Sequence, residues 1–188
     1  MIKKFKEELK GKRIVLKRTR PDMETASTMF KTINENRKHL RPWLPWERET
    51  KKVEDSLKYL FNKEEQTAIG KKIEYGIYVE NKYAGNIGVF DIDMNNKSAE
   101  IGFWLSRKFV RNAYMTEAVM LVEKEFFPNL NRIEIRCDEA NIPSIGVAKK
   151  CGYILEGLCR EDFYSKHFKG FRNTLVFSKL KSDFKKKA

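Results

Sequence analysis

Apolar and polar residues alternate along Arg13–Arg18 (RIVLKR), which predicts a first strand; the period then lengthens to that of a helix. From Pro21-Asp22 to about Asn34, residues Met23, Ala26, Met29, Phe30 and Ile33 share one face, and the opening Pro-Asp pair suits a helix start. Asn36–Trp46 (NRKHLRPWLPW) interrupts the pattern with Pro42 and Pro45 and reads as a loop or short helix. A second helix over about Lys52–Gln66 turns Val53, Leu57, Leu60 and Phe61 inward. From Glu74 the period falls to two. Tyr75–Val79 and Ala84–Ile92 flank Glu80-Asn81-Lys82, a hairpin turn, and Ala99–Leu105 follows the turn Met94-Asn95-Asn96 as the third strand of an antiparallel meander. Met115–Phe126 is a helix stopped by Pro128, Arg132–Cys137 a strand, and Ile142–Cys151 a short helix closed by Gly152. Tyr153–Leu158 and Thr174–Leu180 complete the sheet. The order β-α-α-β-β-β-α-β-α-β-β predicts an α/β (α+β) protein: a mixed sheet with helices on both faces.

The length, 188 residues, fits a single domain over 1–188, without internal repeats or a dividing linker, and with a basic tail at 179–188. A hydrophobic share of 41%, with thirteen Phe, seven Tyr and three Trp, is enough for a real core. No run of about 18 apolar residues is present, so no membrane span is expected. The opening MIKKFKEELKGKR is basic but lacks the apolar stretch of a signal peptide. Cys137, Cys151 and Cys159 are odd in number and outside CxxC spacing, which suits reduced thiols in a cytoplasmic protein rather than a disulfide frame or metal site. The net charge of +13, from 39 basic and 26 acidic residues, favours anionic partners. The basic residues are spread along the chain, with a small cluster at Lys179–Lys187, and no RNA- or DNA-reading motif accompanies them.

Four constellations could carry chemistry. In Ser98–Val119 a strand runs through the turn Val110-Arg111-Asn112-Ala113-Tyr114-Met115 into a helix. Such a helix start offers backbone N–H groups and a positive dipole end to an anion, although this turn contains no glycine. An ordinary strand-to-helix loop is the plainer alternative. In Asn141–Gly157 (NIPSIGVAKKCGYILEG), Asn141 is a plausible N-cap and Ser144 sits in the first turn, where its hydroxyl could meet a ligand; Lys149 and Lys150 alone suit solvent. Trp43 and Trp46, on a proline-stiffened loop, either line a substrate cleft or cover the core edge. Glu100 shares a strand face with Ser98 and Gly102; partly buried, it would have a raised pKa and could take a proton from an ammonium, unless a salt bridge absorbs it. His39 and His167 show neither ligand spacing nor a nearby Ser or Asp pattern, so neither a triad nor a metal is assigned.

At these residues the chain closely resembles the GNAT superfamily of N-acetyltransferases, in its RimJ/RimL-like branch. NRKHLRPWLPW looks like the branch's early loop, AEIGFWL with YMTEAV like its central motif, and NIPSIGVAKKCGYILEG like its N-x-x-S-x-x-(V)-A-x-K-x-G-(F)-x-x-E-G segment. The resemblance runs from Gly11-Lys12-Arg13 to the last strand. It implies the GNAT fold, with a mixed, mostly antiparallel central sheet. It also implies an enzyme that takes acetyl-CoA as cosubstrate, uses no metal, and acetylates an amine directly in a ternary complex. By this likeness, the strand carrying Phe103, Trp104 and Leu105 diverges from the next, Ile133–Cys137, and pairs with the pantetheine arm as with another strand. Val110, Arg111, Asn112, Ala113, Tyr114, Met115 and Thr116 would hold the CoA pyrophosphate, Asn141 the pantetheine arm, and Lys150 belongs to the same cofactor set. Ser144 would meet the departing thiolate, Glu100 would act as base through water, and Trp43 and Trp46 would border the acceptor. Ala148 stands where many members carry a tyrosine acid. In the family pattern (Q/R)-x-x-G-x-(G/A), Val110 and Ala113 are departures, while Met at 115 is usual for the branch; Arg111 adds a charge where glycine is frequent. The branch implies a protein N-terminal amine of ribosomal type as acceptor. A small amine such as an antibiotic or polyamine, and a non-catalytic CoA-binding protein, are the alternatives. The basic surface suits an acidic or ribosomal protein; assembly is expected to be no more than a monomer or homodimer.

Overall fold

The computed structural model describes residues 5–185. Eight strands form one sheet in the order β1-β2-β3-β4-β5-β6-β8-β7. They are β1 (Glu8–Lys10), β2 (Ile14–Arg18), β3 (Ile73–Val79), β4 (Lys82–Asp93), β5 (Ser98–Leu105), β6 (Arg132–Asp138), β7 (Ile154–Ser165) and β8 (Gly170–Leu180). Every neighbouring pair is antiparallel except β5 and β6, which run parallel. The helices are α1 (Met23–Glu35), α2 (Arg37–Leu40), α3 (Val53–Ala68), α4 (Tyr114–Phe126), α5 (Ile142–Cys151) and α6 (Lys181–Lys185), with a 3-10 turn at Pro45–Arg48.

Periodicity decides which face each element buries. Helix α1 opens where the Asp22 carboxylate accepts from the Thr25 amide at 2.8 Å, and its Ala26, Met29 and Ile33 pack with Leu40 and Leu60 over one sheet face. On the other face Ala118, Val119, Val122 and Phe126 of α4 and Ala148 and Cys151 of α5 cover Ile87, Val89, Ile101 and Ile133. Gly102 has a steric reason: a Cβ there would come 2.9 Å from the Phe90 ring, which crosses the sheet beside it.

The structure departs from the sequence expectation at both ends of the sheet. Strand β1 was not foreseen, being three residues long with only Leu9 buried. The last two strands are longer than expected because β7 is exposed along most of its length, so alternation cannot mark it; pairing with β8 holds it, across two register shifts. The stretch expected as a basic tail starts inside the fold. Lys179 and Leu180 end β8, α6 follows, and Phe184 stacks on Phe127 with centroids 5.0 Å apart. Residues 186–188 lie outside the described residues. Among the described residues no helix is long and apolar enough to cross a membrane.

Candidate active site

Strands β5 and β6 pair through three rungs only: Ser98 with Arg132, Ala99 with Ile133, and Glu100 with Glu134. Past Glu100, β5 keeps β4 as its partner to Leu105, and β6 keeps β8 to Asp138. The inner edges therefore part, and a cleft of about 1140 Å³ opens between them. Its walls are residues 101–105 of β5 and 135–138 of β6, closed at one end by the start of α4 and at the side by α5. Residues from α2 and the turn after it, including His39 and Trp43, reach it from the other side.

The turn before α4 holds Ala113 at φ 58°, ψ 13°, as the N-cap, and no side chain caps the helix. Arg111 is also left-handed, at φ 66°. Each costs roughly 1–2 kcal/mol in a residue with a Cβ, so the glycine preference at this turn is a real backbone demand that the chain meets without glycine. The first-turn N–H groups of α4 are left to an outside acceptor, the arrangement that binds anions.

Helix α5 starts beside the same cleft. The Asn141 side-chain oxygen accepts from the Ser144 amide at 3.3 Å, so Asn141 caps the helix. Ser144 and Lys150 line the cleft, whereas Ala148 is fully buried in the core. Glu100 occupies the last β5–β6 rung, at the apex of the opening. Burial raises its carboxyl to about 6 against the pull of Arg136, and Asp91, Glu134 and Asp162 push the same way as burial.

The cleft brings together Phe103, Trp104, Leu105, Val110, Arg111, Ala113, Tyr114, Met115, Thr116, Asn141, Ser144, Lys150 and Trp43. Glu100, Asn112 and Trp46 stand outside its lining. Asn112 folds back so that its amide donates to the Val110 carbonyl at 3.1 Å. Trp46 packs on Trp104 with centroids 6.2 Å apart, and Trp43 on Phe168 at 5.9 Å. His39, set aside on sequence grounds, is on the wall; burial lowers its pKa, the Leu105 carbonyl opposes this, and Arg107 adds to the lowering. Its place within the Asn36–Trp46 block was the available signal. Arg136 and Asp162, ion-paired at 3.2 Å, and Phe163 and Thr174 also line the cleft; the unforeseen length of β7 and β8 hid Asp162 and Phe163. Arg172 grips Asp138 with two bonds of 2.9 Å and ties the end of β6 to β8. Cys137 lines the cleft as a thiol, pushed up to about 11 by burial and then Asp138. Among the described residues no group of three or more His, Cys, Asp or Glu could hold a metal ion.

Residues 13–154 match the family described as the acetyltransferase (GNAT) domain. The chain belongs to the GNAT acetyltransferase family. Among curated relatives it is similar to a putative ribosomal N-acetyltransferase, YdaF, of Bacillus subtilis (strain 168), at 29% identity over 110 residues, 57% of this chain and 58% of that protein. The match thus spans less than two thirds of that relative's length. It is also similar to a ribosomal-protein-serine acetyltransferase of Escherichia coli (strain K12), at 27% identity over 135 residues, 71% of this chain and 75% of the relative. Among solved structures, a RimL ribosomal L7/L12 alpha-N-protein acetyltransferase in complex with coenzyme A superposes with a TM-score of 0.87 at 20% identity, covering 93% of this chain and 98% of that one. That likeness is one of fold, and the parted strands, the α4 turn and the α5 start are the features of this GNAT chain on which a function can be argued.

Proposed function

We propose that this GNAT protein transfers the acetyl group of acetyl-CoA to a primary amine, with a protein N-terminal amine of ribosomal type as the leading acceptor. The observation that carries the reading is the single cleft that joins two parted strand edges to an uncapped helix start. An extended amide-bearing arm fits the first and a diphosphate the second. Residues 103–105 would pair with the arm, residues 110–116 would hold the diphosphate with Arg111 and Lys150 nearby, and Asn141 stands beside the arm. Acetyl-CoA would supply an acyl group activated as a thioester: the amine nitrogen bonds to the acetyl carbon, and the C–S bond breaks to release the CoA thiolate.

The chain's own groups manage the protons. An amine arrives as an ammonium ion and must lose a proton before it attacks; Glu100, outside the cleft lining but at its apex and with its pKa near 6, would take it through water. Ser144, in the first turn of α5, donates a hydrogen bond or proton to the departing thiolate. Basic side chains give the whole chain a net charge of +13, which would draw an acidic acceptor such as a ribosomal protein. A small amine is the second reading, favoured by the Trp43 and Trp104 rings of the cleft lining, which pack on Phe168 and Trp46 outside it.

Calorimetry with acetyl-CoA tests the donor: heat of binding and a raised melting temperature are expected, and neither at millimolar ligand would remove the reading. Thiol release measured across an N-terminal peptide panel and a small-amine panel tests the acceptor. Turnover with acidic peptides is expected; turnover confined to small amines selects the second reading, and binding without turnover on either panel makes the protein a non-catalytic CoA binder.

A further inference from the structure

The turn before α4 holds two left-handed residues with side chains, Arg111 and Ala113, on either side of Asn112. Such conformations persist where their surroundings over-determine them. Here the surroundings come from the other end of the chain. Arg13, next to the start of β2, donates from Nη1 to the Asn112 carbonyl at 2.9 Å, inside the left-handed pair. Its Nε donates to Glu117 Oε2 and its own amide to Glu117 Oε1, both at 2.9 Å. The guanidinium also lies 5.1 Å from the centre of the Tyr114 ring. One side chain thus holds the middle of the turn, the first residue of α4 and the first-turn carboxylate together.

Glu117 gives the contact a second consequence. A carboxylate in the first turn of a helix has the wrong sign beside a bound anion, and it is itself attracted to the helix N-terminus. The bonds to the Arg13 amide and guanidinium engage both of its oxygens on the side of β2. The approach is close: a Cβ at Gly11 would stand 2.5 Å from Glu117 Oε1. Burial pushes the Glu117 carboxyl up, but the Arg13 and Lys12 amides and the Arg13 guanidinium hold it below its ordinary value, so it remains an anion that needs this partner.

We propose that Arg13 is the positioning residue of the anion-binding turn: with Glu117 as its anchor it holds residues 111–113 in the conformation that a glycine would adopt unaided, and so presents the α4 N–H groups to the diphosphate of the cofactor. The inference rests on the acetyl-CoA reading for the identity of the anion. Arg13 acts on the diphosphate end alone, so its effect is selective. Removing it weakens a donor that carries a diphosphate and leaves one without it unchanged.

The test compares acetyl-CoA with acetyl-pantetheine, which has the thioester arm but no diphosphate. Arg13→Ala is expected to raise KM and Kd for acetyl-CoA by about tenfold, with kcat within about twofold and acetyl-pantetheine kinetics unchanged. Arg13→Lys keeps the charge but not the planar fork, and recovers only part of the loss. Adding Ala113→Gly to Arg13→Ala is expected to restore acetyl-CoA binding to within about threefold, because glycine takes this backbone conformation freely. An equal loss with both donors, an unchanged Kd for acetyl-CoA, or no rescue by Ala113→Gly would overturn the proposal. Hydrogen exchange of the unliganded protein reads the same brace without any cofactor. The amides of residues 112–116 should exchange faster in Arg13→Ala and slow again with Ala113→Gly; equal exchange in wild type and Arg13→Ala overturns it. If wild type fails to bind CoA while the exchange result holds, the acetyl-CoA reading falls and the brace stands.

Discussion

Glu100 shows how much a single position can set. It closes the last rung shared by β5 and β6, and burial lifts its carboxyl to about 6. Its charged form, the one able to accept a proton, is therefore the main form at neutral pH while remaining basic enough to be useful. Glu100→Gln is expected to lower kcat about 100-fold at pH 7.5 and to abolish the rise of kcat/KM with pH through about 6 that is expected of wild type. A loss below threefold, with the pH profile intact, would assign the base elsewhere, and His39 on the cleft wall would be the next to test. The same shift has a stability consequence of definite sign. A carboxyl whose pKa rises from 4.5 to about 6 on folding favours the fold when protonated, so its contribution is full below pH 4.5 and lost as pH climbs through 6. Urea melts should therefore find Glu100→Gln more stable than wild type at pH 7 and equal to it at pH 4.

At the level of elements, the caps and turns decide where the site's walls begin. Asp22 caps α1 through the Thr25 amide, and α1 packs on the sheet face opposite α4. Asp22→Ala should cost about 1 kcal/mol in urea unfolding and leave the KM for acetyl-CoA unchanged, since the cap touches no cleft residue; a raised KM would mean that α1 transmits strain to the site. These elements were legible in the sequence because their apolar residues repeat with clear periods: Ala26, Met29 and Ile33 in α1, and Ala99, Ile101 and Leu105 in β5. So were the blocks that converge on the cleft, because helix starts and strand ends are written in local residue types. Two things were not. Strand β7 is exposed along most of its length and is held by β8, so no alternation marked it, and the cleft residues Asp162 and Phe163 went unseen with it. The conformation of the turn was equally hidden. The missing glycines were visible, but whether Arg111 and Ala113 adopt left-handed backbone depends on Arg13, about a hundred residues away in the chain.

For the molecule as a whole, the two parts of the sheet on either side of the cleft need ties beyond their three shared rungs. One is buried: the Lys179 ammonium of β8 donates to Glu123 of α4 at 2.7 Å and to the Cys151 carbonyl at the end of α5 at 2.9 Å. Lys179→Met should destabilise the protein by about 3 kcal/mol, read as a lower urea midpoint, because it takes the ammonium out of a buried ion pair with Glu123 and away from the Cys151 carbonyl. A loss under 1 kcal/mol would show that the remaining contacts of Glu123, such as its bond with Tyr153, make up for the missing ammonium. The sequence put Lys179 both near the end of the strand Thr174–Leu180 and at the head of a basic tail, and nothing local distinguishes a lysine that is buried against a distant glutamate from one that faces solvent. The three-rung joint has a further consequence. A ligand that lies between the parted edges joins the two parts of the sheet as well as occupying a site, so its binding energy is added to the folding energy. For a ligand at a hundredfold excess over its Kd that addition is roughly 2.7 kcal/mol, comparable to the cost of a severe core mutation. The margin by which the fold resists unfolding then grows with the concentration of that ligand, so a melting temperature doubles as a reading of how fully the cleft is occupied.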